Sequence, residues 1–98
     1  MIDLQTLETA VAPMHVTTPD GGTRAVHVEA NTNPNGDEWV ELRVTEWAKA
    51  VFAMKRETAA DMERERGPGS VQALFTAERD KAVANLRAHG RPIVADRN

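Results

Sequence analysis

The residues with the most chemical promise are two histidines and two glutamates. His15 and His27 lie on stretches that alternate in polarity and read as the two arms of one hairpin, with Glu29 and Glu41 at matching positions nearby. Two imidazoles and a carboxylate form a zinc-ligand set when their geometry converges. Here the spacing matches no specific metal motif, and cross-strand histidines are common on solvent-facing sheet surfaces. The expectation is no metal and no other cofactor. The third histidine, His89, precedes Gly90 at the end of a helical pattern, where its charged form suits the negative end of the dipole.

Nucleophiles are scarcer. Cysteine is absent, and the one serine, Ser70, falls where a helix cap is wanted. Asp61 and Glu65 form an i, i+4 pair of carboxylates, but Lys55, Arg56, Arg64 and Arg66 surround them, which describes a solvated helix face. The glycine clusters Pro19-Asp20-Gly21-Gly22 and Gly67-Pro68-Gly69 lack a phosphate-cradling lysine and read as turns. With no nucleophile–base pair and no carboxylate cleft, the expectation is a protein without catalytic residues.

The elements that would position these residues follow from periodicity. A chain of 98 residues with 41% hydrophobic content suits one domain, residues 1–98, with one modest core. Asp3 caps a short helix over 3–12, with Leu4, Leu7 and Val11 on one stripe and Pro13 ending it. Residues 14–44 read as three antiparallel strands. The first two, Met14–Thr18 and Thr23–Ala30, turn at Pro19–Gly22. A three-residue loop, Asp20-Gly21-Gly22, sets Val16 opposite Val26, Met14 opposite Val28 and His15 opposite His27, with Gly22 in the left-handed position. After the turn-rich Asn31–Asp37, a third strand carries Val40, Leu42 and Val44 inward and Trp39, Glu41 and Arg43 outward.

At Thr45 the period changes. Trp47, Val51, Met54, Thr58/Ala59 and Met62 share a helical stripe, predicting a helix over 46–66 capped by Thr45. Gly67-Pro68-Gly69 separates it from a second helix over 71–89, with Val71, Leu74, Phe75, Ala82 and Leu86 inward. So short a link implies an antiparallel helical hairpin packed on one sheet face. Residues 91–98 form a tail in which Pro92–Ala95 is either an edge strand or ordered coil. The fold class is α+β.

Charge and composition narrow the partners. Residues 1–45 carry seven carboxylates against two guanidiniums, a net of −5, and the rest of the chain carries ten basic and eight acidic residues. An acidic sheet half disfavours a phosphate backbone and suits a basic protein surface. No apolar run is long enough for a membrane helix, and the N-terminus lacks a secretory pattern, so the expected location is cytoplasmic. The order helix–strand–strand–strand–helix resembles that of double-stranded RNA-binding domains, which start their last helix with a lysine cluster. Here that turn reads Glu46-Trp47-Ala48-Lys49-Ala50, with only Lys49 matching.

The sheet face away from the helical hairpin carries His15, Thr17, His27, Glu29, Trp39, Glu41 and Arg43. A tryptophan ringed by charged and polar side chains has the make-up of an interface anchor with a polar rim. The expected function is non-enzymatic protein binding, as an adaptor, inhibitor or assembly factor, with Trp39, His15, His27, Glu29, Glu41 and Arg43 as the binding set. Compact acidic proteins of this kind recur among phage and mobile-element inhibitors, an analogy of size and character alone. Self-association through the same face satisfies the same pattern. The alternative is a module for nucleic acid or a small ligand.

Overall fold

The structure, a computed structural model, describes residues 2–94. It is an α+β fold with a four-stranded antiparallel sheet and three helices. The elements are α1 (Leu4–Ala10), β1 (Met14–Thr17), β2 (Thr23–Thr32), β3 (Glu38–Val44), β4 (Phe52–Lys55), α2 (Arg56–Arg66) and α3 (Ser70–His89). The strands lie side by side in chain order.

Asp3 caps α1 by accepting a hydrogen bond from Gln5 N at 3.0 Å. Leu4, Leu7 and Val11 are buried as the stripe requires. The helix runs beside the half of β2 that β1 does not reach, and Glu8 accepts a hydrogen bond from Ala30 N at 2.8 Å. That bond satisfies a strand-edge donor that would otherwise need another strand.

The β1–β2 register differs from the expected one by two residues. Met14 pairs with Val26, Val16 with Arg24 and Thr17 with Thr23, so residues 18–22 form the turn. Thr18 and Asp20 cause the longer loop. Thr18 N donates to Gly22 O and Gly21 N to Thr18 O, both at 2.9 Å, while the Asp20 carboxylate accepts from Gly22 N at 2.9 Å and from the Thr18 hydroxyl. Gly21, with φ of 87°, takes the left-handed position that had been expected of Gly22. A slip of two preserves every inward and outward assignment. Accordingly Val16, Val26, Val28, Val40, Leu42 and Val44 are all buried on one face. The slip does separate the histidines, because His15 now stands opposite Ala25 and not His27.

The largest correction concerns the predicted helix over 46–66. Residues 45–51 form a connection, 52–55 form β4, and α2 begins only at Arg56. Thr45 does not cap a helix. It stays bound to the sheet: its N donates to Ala25 O at 3.0 Å, and its hydroxyl accepts from Ala25 N at 3.2 Å. Glu46 then adopts φ of 67°, a conformation no helix interior allows. Val51 N donates to Leu42 O at 2.8 Å, which opens the β3–β4 ladder. Met54 pairs with Val40 and Phe52 with Leu42 on the inner face, and Lys55 pairs with Trp39 and Ala53 with Glu41 on the outer. Trp47 therefore belongs to the connection, half-buried against the core, and to no helical stripe. The expected three strands become four.

Both helices of the C-terminal hairpin pack on the inner sheet face, burying Ala59, Val71, Phe75, Ala82, Val83 and Leu86. Leu74, assigned to the stripe, is half-buried, whereas Val83, not assigned to it, is buried. Ser70 is the first residue of α3, and the capping group is the Glu63 carboxylate on the preceding helix. It accepts from Val71 N at 3.0 Å, the Ser70 hydroxyl at 3.1 Å and Gly69 N at 3.3 Å. The bond from Val71, with those from Gly69 and Ser70, outweighs the effect of desolvation and holds Glu63 below its ordinary value of 4.5.

A carboxylate depressed in the folded state stabilises the fold above its unfolded value, and that contribution is lost as pH falls through the folded one. Glu63→Gln is therefore expected to lower the melting temperature at neutral pH and to flatten its decline below pH 4.5, the ordinary value. Thermal melts of both proteins across acid pH check this. Parallel curves would remove Glu63 from the account of acid sensitivity.

The tail turns back on α3. Asn85 Nδ2 donates to Pro92 O at 2.9 Å, Pro92 is buried, and 92–94 form no strand. Ala95, the last residue of the proposed edge strand, lies outside the described residues, as do 96–98 of the tail. No helix among the described residues is long and apolar enough to cross a membrane.

Candidate interaction face

Strands β2 and β3 place five of the six singled-out side chains on one surface, because outward positions in an antiparallel pair stand opposite one another. His27 pairs with Arg43 in register and Glu29 with Glu41. Trp39, two residues from Glu41 on β3, shares that face.

These side chains form one continuous chain of contacts. The Trp39 indole Nε1 donates to Glu41 Oε1 at 2.5 Å. Arg43 Nη1 donates to Glu41 Oε2 at 2.8 Å, and Arg43 Nε lies 3.9 Å from Glu29 Oε2. His27 Nε2 stands 3.1 Å from Glu29 Oε1. Arg43 Nη2 also donates to Ala48 O at 3.2 Å, which ties the face to the β3–β4 connection. Glu41 is more protected than the charged groups beside it, with its side chain 15% exposed against 29% for Arg43 and 43% for Glu29. Partial burial pushes the Glu41 carboxyl up, but hydrogen bonds from Arg43 and Trp39 and the Arg43 charge outweigh it and hold the group below its ordinary 4.5. The bond to Glu41 likewise pushes Arg43 up. At neutral pH the centre of the chain is a charged pair fixed in place. The consequence is geometric: the indole is held in one orientation by its bond to Glu41.

His15 is outside this arrangement. It is exposed on β1 opposite Ala25, with Thr17 further along the same strand. Ser70 is engaged with Glu63 and with Met62 O, and Asp61 is paired with Arg64. Among the described residues no group of three or more histidines or carboxylates is placed to hold a metal ion. Protein purified without chelators is expected to carry no stoichiometric zinc. Elemental analysis showing about one zinc per chain, lost on His15→Ala, would restore a metal function.

Two outward residues were hidden by the helix expected over 46–66: Ala53, opposite Glu41, and Lys55, opposite Trp39. The alternation of Phe52 and Met54 with Ala53 and Lys55 was the signal that could have found them. They extend the face past β3 to the sheet edge. Beside them a groove of about 470 Å³ runs between the 33–37 loop, β4 and the start of α2, with Trp39 in its wall.

No protein-family model matches the chain, and neither does any curated protein or solved structure.

Proposed function

We propose that this chain is a non-enzymatic protein-binding module, an adaptor, inhibitor or assembly factor, that docks through the outer face of its sheet. One observation supports the reading above others. The helices and the buried valines occupy one side of the sheet, while Trp39 stands half-buried on the other, fixed by Glu41, with Arg43, Glu29 and His27 further along the same face. A rigid aromatic with a polar rim supplies binding energy with little ordering cost.

The element order departs from the helix–strand–strand–strand–helix layout that suggested the RNA-binding alternative. A fourth strand and a seven-residue connection, 45–51, now separate the third strand from the first C-terminal helix. Lys49 lies in that connection and not at a helix start. At the centre of the open face Arg43 is already paired with Glu41, so its charge is committed within the chain.

Affinity capture from the native host, with nuclease treatment and with Trp39→Ala beside the wild type, tests the proposal. A protein retained by the wild type after nuclease and lost with Trp39→Ala is the supporting result. Capture that survives Trp39→Ala unchanged, or that disappears with nuclease, overturns it.

A further inference from the structure

The groove beside Trp39 carries a charge pattern that specifies its occupant. Its walls hold the carboxylates of Asp37, Glu38 and Glu57 against a single cation, Lys55. Glu38 is engaged by Arg56. Asp37 takes a hydrogen bond only from neutral groups, Nδ2 of Asn33 at 3.2 Å among them, and Glu57 sits in the first turn of α2. Among the described residues neither Asp37 nor Glu57 has an ion-pair partner. The Trp39 indole lines the same groove, and its N–H is already committed to Glu41. The ring thus has its π-face, and not a hydrogen-bond donor, to offer a ligand. An indole face flanked by carboxylates attracts a cation through the ring quadrupole and through charge together.

The volume agrees with this. About 470 Å³ in an open groove admits one or two long side chains of a peptide and is at the small end for an enclosed small-molecule site. The acidic balance of residues 1–45 draws the same class of partner toward this side.

We propose that the groove receives a basic segment of the protein partner, with a lysine or arginine side chain laid against Trp39 and paired with Asp37 or Glu57. The inference rests on the protein-docking reading above and adds the chemistry of the partner. Lys55 is the element that opposes such a ligand, which gives the proposal a sign that an acidic partner would reverse.

The test uses a labelled peptide of alternating glycine and arginine and its glycine–glutamate counterpart, titrated into the full chain at low ionic strength. The arginine peptide is expected to bind and the glutamate peptide not. Trp39→Ala and the pair Asp37→Asn with Glu57→Gln should each weaken binding about tenfold, and Lys55→Ala should tighten it. A control pair on the far part of α2, Asp61→Asn with Glu65→Gln, removes the same charge and should change affinity by less than about twofold. Equal losses from the near and far pairs, or tighter binding of the glutamate peptide, overturn the proposal. If the arginine peptide fails while the captured partner still depends on Trp39, the basic segment is wrong and the docking face stands. If the Trp39 dependence is also absent, both fail. Melting curves of each variant show that the fold is retained.

Discussion

Phe75→Ala is expected to lower the free energy of unfolding by about 3–5 kcal/mol. Phe75 is completely buried, and its ring meets Phe52 edge-on, with centroids 5.1 Å apart and planes at 66°. An edge-to-face pair adds to the burial of both rings. The position is also architectural. Phe52 belongs to β4, so this contact fastens the edge strand to α3. Removing the Phe75 ring opens a cavity between helix and sheet. Since domains of this size hold about 5–15 kcal/mol in total, the variant is expected to be partly unfolded under mild denaturant. Leu86→Ala, on the same inward stripe and 1% exposed, is expected to cost about 2–5 kcal/mol. Urea unfolding gives both values. Midpoints equal to the wild type for both would refute the packing of α3 on the sheet.

Trp39→Ala is expected to behave in the opposite way, keeping the fold and losing the partner. The side chain is half-buried on the uncovered face, outside the buried core. Its removal is expected to weaken association by about 2 kcal/mol or more, roughly thirtyfold in Kd. Two losses combine here. The large aromatic surface disappears, and Glu41 loses the indole N–H while keeping Arg43. A second copy of the chain docked on this face would show the same dependence, and sedimentation of the isolated protein distinguishes that case by its concentration dependence.

How much of this was legible in the sequence depended on whether one periodicity or two fitted a segment. For Val26, Val28, Val40, Leu42 and Val44 only alternation fits, and all five are inward as expected. For 47–54 both fit. Trp47, Val51 and Met54 satisfy the helical spacing, while Phe52 and Met54 satisfy the strand spacing. The choice was made by tertiary pairing: Thr45 holds to Ala25, Glu46 turns with positive φ, and Val51 bonds to Leu42. A four-residue strand whose stability comes from its neighbour leaves only a weak trace in its own residues. The hairpin register failed for a similar local reason, since the Thr18–Asp20 side-chain bonds lengthen a turn that its glycines alone would close sooner.

The candidate face was legible in composition and not in connectivity. Facing rules placed Trp39, Glu41, Arg43, His27 and Glu29 together, but the Trp39–Glu41–Arg43 bonds depend on rotamers that alternation does not specify. His15 dropped out because its partner was set by the turn. The groove depended on β4, which the helical reading of 46–66 had removed.

Trp39 and Trp47 are both half-buried, so quenching by a small solute does not separate them in the free protein. In the complex they become a matched pair. Hydroxyl-radical footprinting of the chain with and without its captured partner tests the docking face most directly. The account expects oxidation of Trp39 to fall severalfold on binding while Trp47 and Met62 keep their free-state reactivity. Unchanged reactivity at Trp39, with protection confined to the helical side around Met62, would contradict it.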